Sequence, residues 1–126
     1  MRPRRVVLVV DDEAITRDVV VTMLELDDVE VHHASDGDTA LALADKVRPD
    51  VVLLDAMMPG MDGFAVCRAL RDAYGDEGPR VVMLTARADA AARDAAEAAG
   101  AVGYIVKPFS GLDLFRLLDE EPIGGA

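Results

Sequence analysis

Cysteine occurs once in this 126-residue chain, at Cys67, so no intrachain disulfide can form. Cys67 shares a helical apolar pattern with Phe64 and Leu70, which makes it a small core side chain. Long apolar runs are missing too: nothing approaches the roughly 20 residues needed to cross a bilayer. The basic start Met1–Arg5 followed by Val6–Val10 opens like a secretory signal, but the run then meets Asp11, Asp12 and Glu13. No membrane insertion is expected, and the cytoplasm is the expected compartment. Positive charge is scarce as well. Thirteen Lys and Arg face 24 Asp and Glu, a formal net charge of −11, which argues against direct nucleic-acid binding, since that rests on cations displacing the counterions of phosphate. The acidic surplus points to cations, basic partner surfaces or solubility.

A hydrophobic fraction of 52% with 29% charged residues describes a globular chain, and its length fits one ordinary domain. That domain is expected over residues 1–121, with 122–126 a tail or the start of a linker. Five short runs rich in Val, Ile and Leu recur along it: Val6–Val10, Val29–Ala34, Val51–Leu54, Val81–Leu84 and Val102–Val106. Segments with helical spacing separate them: Ala14–Leu26, with Ile15, Val19, Met23 and Leu26 on one stripe, then Asp38–Val47, Gly63–Tyr74, Ala88–Ala99 and Leu112–Glu120. Continuously apolar strands alternating with helices imply a parallel sheet covered on both faces, a doubly wound α/β sandwich. Asp36 and Asp62 stand where helix N-caps belong, and Pro49, Gly75, Gly78-Pro79, Gly100 and Pro122 punctuate the boundaries.

Ligands of open α/β sheets bind beyond the carboxyl ends of the strands, so the residues just after each run carry the chemistry. The first run is followed by Asp11 and Asp12; the third ends on Asp55, the fourth on Thr85 and the fifth on Lys107. Three carboxylates brought to one rim repel, at about 4 kcal/mol per pair at 4 Å and an effective dielectric near 20. A hard divalent cation such as Mg²⁺ and the Lys107 ammonium are the two sources of compensating charge. With both in place, Asp55 can attack phosphorus, and the chemistry implied is phosphoryl transfer to a carboxylate.

From Val6 to Leu118 the chain resembles the receiver domain of bacterial response regulators, the CheY-like superfamily of two-component signalling. The resemblance is carried by VVLVVDDE, LLDAMMPGMDG, VVMLTA and YIVKPF in that order. It implies a flavodoxin-like (βα)5 sandwich with strand order 2-1-3-4-5. It also implies that Asp55 is the phosphoacceptor and that Asp11, Asp12, Asp55 and the Met57 carbonyl hold Mg²⁺, or Mn²⁺ in its place. Lys107, Thr85 and the backbone N–H groups of Met57 and Ala86 would contact the phosphoryl group. Tyr104 would turn inward as Thr85 moves, and the Lys107-Pro108 bond would be cis.

The implied donor is a sensor histidine kinase or a histidine phosphotransfer protein. The implied readout is an output domain or protein on the face of the fourth helix, fifth strand and fifth helix. Self-phosphorylation and self-dephosphorylation would be the chain's only catalysis. Homodimerisation stays open, because Ala101, Val102 and Gly103 stand where many family members carry an acidic pair. Met57 and Arg87 would flank the path of attacking water, with the apolar Met57 slowing hydrolysis.

Blander roles fit some of the same residues. Asp11 and Asp12 also suit a helix N-cap and its dipole partner, Thr85 a plain β-former, and Tyr104 an edge aromatic. His32 and His33, on an expected edge strand, read as exposed, and the alanine-rich run around Arg93 as helix propensity. An aspartate-nucleophile phosphatase is the alternative function, but such enzymes usually need a second acid where Met57 stands. A flavin carrier would want Ser, Thr and Gly where DDEAIT occurs.

Overall fold

The computed structural model describes residues 5–24, 29–58, 60, 62–85 and 90–106. Its elements are β1 (Arg5–Val10), α1 (Ala14–Leu24), β2 (Val29–Ala34), α2 (Gly37–Val47) and β3 (Val51–Asp55), then α3 (Gly63–Tyr74), a 3-10 turn (Gly75–Glu77), β4 (Arg80–Thr85), α4 (Ala90–Ala99) and β5 (Gly103–Val106). The strands form one parallel sheet of order β2-β1-β3-β4-β5. Order reverses between β1 and β3, and that switch point is where the expected order placed the site. The helix expected over Leu112–Glu120 and the boundary at Pro122 lie outside the described residues.

Alternation along each strand sends successive side chains to opposite faces. Leu8, Val10, Val52, Leu54, Val81 and Met83 point to the face covered by α2, α3 and α4. Val7, Val9, Val51, Leu53, Val82 and Leu84 point to the face that Val20 and Leu24 of α1 cover. Both faces are buried, so these strands carry no polar alternation, and each buried Val or Leu stabilises the fold by about 1.5–3 kcal/mol. Cys67 belongs to this core as expected: it is fully buried, its Sγ stands 3.2 Å from the Ala99 carbonyl, and burial pushes its thiol pKa up.

Helix starts follow the expected caps. The Thr39 N–H donates to Asp36 Oδ1 at 2.8 Å and the Ala65 N–H to Asp62 Oδ1 at 2.9 Å. The bond from the Thr39 backbone holds the Asp36 carboxyl below its usual range. On the edge strand β2, His33 is exposed, whereas His32 is partly covered and lies 2.7 Å from Glu30.

The apolar stripe expected on the first helix is corrected. Ile15 is 80% and Val19 45% exposed, while Val20 and Leu24 are buried. The run Val19-Val20-Val21 offers two helical stripes, so periodicity alone does not choose between them. A contact in the β1–α1 turn does: Arg17 Nη1 donates to the Asp11 carbonyl at 2.9 Å. Arg17, Val20 and Leu24 recur at helical spacing, so a helix rotated to make that bond turns Val20 and Leu24 onto the sheet. Leu24→Ala is expected to lower the free energy of urea unfolding by about 2–5 kcal/mol, and Ile15→Ala to change it by less than about 0.5 kcal/mol. Equal losses would contradict this facing of α1.

Candidate functional site

Register brings the acids together. Val10 pairs with Leu54 across β1 and β3, so Asp11, one residue on, stands beside Asp55 at the end of the neighbouring strand. Asp55 pairs with Leu84, and Thr85 closes β4 one residue further along. Carboxylate oxygens of Asp11, Asp12 and Asp55 all lie within 4.8 Å of one another, the group among the described residues able to hold a metal ion. Asp11, Asp55 and Thr85 are buried and Asp12 is exposed, so the cluster opens to solvent on the Asp12 side.

Each acid is held by its own backbone surroundings. The Asp11 N–H donates to the Ala34 carbonyl at 3.2 Å, its carbonyl accepts from Arg17, and its Oδ1 accepts the Glu13 N–H at 2.9 Å. The last bond is a local Asx turn. Asp11 thus forms a turn three residues before α1, and that turn is compatible with its place in the cluster. At Asp55, Oδ1 accepts the Met57 N–H at 3.3 Å.

Beyond Asp55, the Ala56 N–H donates to the Leu84 carbonyl at 2.9 Å and the Gly63 N–H to the Ala56 carbonyl at 3.1 Å. The start of α3 thus presses directly on the end of β3 at Asp55. A Cβ on Gly63 would fall on the Asp55 carbonyl oxygen and 2.9 Å from the Ala56 Cα. Gly63 is needed here for close approach between backbones.

Such a cluster is a set of hard oxygen donors, the set Mg²⁺ prefers, with a solvent-open side where the ion keeps water ligands. At 4.8 Å and an effective dielectric near 20, each pair of charges costs about 3.5 kcal/mol. A divalent cation offsets that cost, so the donors fit the ion in chemistry and in charge. Met57, the other expected metal ligand, leaves the end of β3 with its side chain 73% exposed. Lys107, Ala86, Arg87 and the Lys107-Pro108 bond lie outside the described residues.

Comparison with known proteins decides the family. The profile of the response regulator receiver domain matches residues 7–119. The chain belongs to the response regulator receiver family. Among curated proteins, this receiver is 45% identical over 108 residues to "Probable transcriptional regulator ycf27" of Guillardia theta, covering 86% of this chain and 41% of that protein. It is 39% identical over 126 residues to "DNA-binding response regulator MtrA" of Mycobacterium tuberculosis, covering 94% of this chain and 54% of that one. The receiver thus spans about half the length of the curated relatives it matches. Among solved structures, the Vibrio cholerae chemotaxis protein CheY4 superposes with a TM-score of 0.88 at 36% identity, over 93% of this chain and 98% of that one. A CheY-like receiver of Methanospirillum hungatei superposes at 0.86 with 26% identity, covering 94% of each chain. The expected fold and family are both borne out, and no helix among the described residues is long and apolar enough to cross a membrane.

Two residues near the rim escape a reading by sequence. Arg17 ties the Asp11 carbonyl while its Nε is buried without a hydrogen-bond partner. An arginine early in a helix reads as solvated, and no spacing rule flags it. Arg93, which reads as part of a helix-forming alanine run, donates from Nε and Nη2 to the Tyr104 hydroxyl, each at 3.3 Å.

Gly63→Ala tests the pressure of α3 on the end of β3. It is expected to cost about 1–3 kcal/mol of stability, the range for forcing a methyl into a packed site. It should also weaken Mg²⁺ binding measured by calorimetry, because the conflict displaces Asp55; unchanged stability and affinity would refute the close approach.

Proposed function

We propose that this receiver is a phosphorylation-activated switch in which Asp55 accepts a phosphoryl group from a partner's phosphohistidine. The convergence of Asp11, Asp12 and Asp55 at one rim, with Thr85 closing the adjacent strand, carries this reading. An Asp55 oxygen forms the new bond to phosphorus as the donor's P–N bond breaks, and that electron pair returns to the imidazole. Mg²⁺, held by Asp11, Asp12, Asp55 and the Met57 carbonyl, supplies neutralisation of the transferring oxygens when bound. Met57 N–H, Ala86 N–H, the Thr85 hydroxyl and the Lys107 ammonium take the phosphoryl oxygens. The Met57 N–H already lies against the Asp55 carboxylate, which supports its part.

Phosphorylation adds about −1.5 to −2 charges at the end of β3 and draws Thr85 and Lys107 inward, with Tyr104 following. The face of α4, β5 and the following helix is the output surface for a linked domain or a separate protein. A relative named as a DNA-binding response regulator supports a transcriptional output, with DNA contacted by the linked domain or separate protein and not by this receiver.

Incubation with acetyl phosphate and Mg²⁺ followed by intact mass tests the chemistry. One phosphoryl adduct is expected on the native chain, and none on Asp55→Asn or after chelation of the metal. Absence of the adduct on the native chain, or its survival in Asp55→Asn, would overturn the reading.

The exposed, apolar Met57 stands two residues beyond the acceptor, where water must approach to hydrolyse the acyl phosphate. Met57→Asn supplies a hydrogen-bonding group there and is expected to speed adduct loss severalfold in a time course of the isolated phosphoprotein. An unchanged rate would remove the side chain from control of lifetime.

A further inference from the structure

Tyr104 and Thr85 share a face of the sheet. Thr85 pairs with Val106 on β5, and Tyr104 lies two residues before Val106, which returns its side chain to the same side. Tyr104 is partly buried and packs against the core layer to which Met83, Ala96 and Ala99 belong. Its polar end is tied elsewhere. Two guanidinium N–H groups of Arg93 converge on the Tyr104 hydroxyl at 3.3 Å, and the Arg93 Cζ stands 5.9 Å from the ring centroid.

The hydrogen bond with Tyr104 first, and the nearby Glu97 and Asp94 carboxylates after it, favour the charged form of the Arg93 guanidinium. Beside the pair lies a cleft of about 320 Å³ lined by Arg93, Ala96, Glu97, Ala101, Gly103 and Tyr104. Small side chains on three sides leave room for the ring to change position without repacking the core. Hydroxyl and guanidinium, by contrast, must part before the ring can leave.

We propose that Arg93 is a latch that holds the Tyr104 hydroxyl at the surface in the unphosphorylated protein and so sets how readily the α4–β5 face switches. The proposal rests on the phosphoryl-switch reading above and adds to it a restraint located on α4. Arg93 is a positioning residue: it touches neither phosphorus nor metal, and acts through Tyr104. Breaking two exposed hydrogen bonds to one acceptor has a net cost that corresponds to a roughly three- to tenfold change in population. A restraint of that size biases the resting state without blocking the switch.

The chain has two tyrosines, Tyr74 and Tyr104, so 3-fluorotyrosine labelling gives two ¹⁹F resonances, and Tyr74→Phe identifies that of Tyr104. In the native chain, acetyl phosphate with Mg²⁺ is expected to move the Tyr104 resonance from a resting to a phosphorylated position. In unphosphorylated Arg93→Ala the resonance should already lie part-way along that path, with the inward population raised roughly three- to tenfold. Arg93→Lys, which keeps one donor and the charge, should fall between the two. Arg93→Ala should also speed formation of the acetyl-phosphate adduct, and that gain should vanish in a Tyr104→Phe background, where no hydroxyl remains to be held. If the adduct forms and the resonance moves in the native chain but stays at the native resting position in Arg93→Ala, the latch is overturned and the switch reading stands. A rate gain that persists in Tyr104→Phe also overturns the latch, since Arg93 would then act by charge alone. If no adduct forms on the native chain, the switch reading fails and takes the latch with it.

Discussion

Mutual repulsion of Asp11, Asp12 and Asp55 is the constraint around which this fold is arranged. Oxygens held within 4.8 Å of one another in a largely buried setting raise the energy of the protein until a cation arrives, so the scaffold must hold them by other means. A parallel βα sheet does this by construction. Each crossover helix starts just after its strand ends, so α1, α2 and α3 begin at the acidic rim and present the positive ends of their dipoles there. Their negative ends fall at the opposite rim, where Lys46, Arg48 and Arg71 sit at or beside the last turns of α2 and α3. Arg48 closes α2 in a left-handed conformation, φ 52°, while its guanidinium lies 5.0 Å over the Tyr74 ring. The molecule is thus polarised along its strands, with carboxylates set against helix N-termini at one end and cationic side chains beside helix C-termini at the other.

Rigidity at Asp11 follows from the same need. Its N–H, carbonyl and carboxylate are bound respectively to the end of β2, to α1 and to its own turn. The bond from Arg17 also fixes the rotation of α1, so the contact that steadies a candidate metal ligand decides which apolar stripe of that helix enters the core. Gly63 does the equivalent for Asp55: with no side chain, it lets α3 abut that residue's own carbonyl. Site and core share their restraints, so a change at Gly63 or Arg17 is felt in both chemistry and stability.

The strands and the cluster at their ends were legible in the residues themselves for one reason, whereas the sheet order came from the family resemblance. Buried parallel strands are continuous apolar runs, and each such run ends abruptly on the residue that matters: VVLVV on Asp11, VVLL on Asp55, VVML on Thr85. Caps at Asp36 and Asp62 were equally legible, because capping is a local interaction that spans three residues. What the sequence hid depends on rotation and reach. Ile15 and Val19 obey helical periodicity as well as Val20 and Leu24 do, and the two stripes are separated by packing on the sheet and by the tie from Arg17 back to the Asp11 carbonyl, neither of which periodicity encodes. Arg93 meets Tyr104 across 11 positions, from a helix whose alanines announce propensity and nothing else. The steric need for Gly63 was hidden in the same way, since it arises where α3 returns to the backbone of Asp55.

Energy scales show why a weak restraint suits the α4–β5 face. Moving a two-state protein from almost wholly resting to almost wholly active takes about 5.5 kcal/mol of differential stabilisation. In the proposed switch the source is a phosphoryl charge on Asp55, and it acts from the end of β3 across β4 to β5. Thr85 and Tyr104 are only one strand and two residues apart on a common face, so little of that energy need be dissipated in rearranging the core. A latch buried in the core would add several kcal/mol more and hold the face shut against phosphorylation. In the proposed latch, the two surface hydrogen bonds from Arg93 favour the resting state, yet they yield to the much stronger pull proposed for a phosphoryl charge on Asp55.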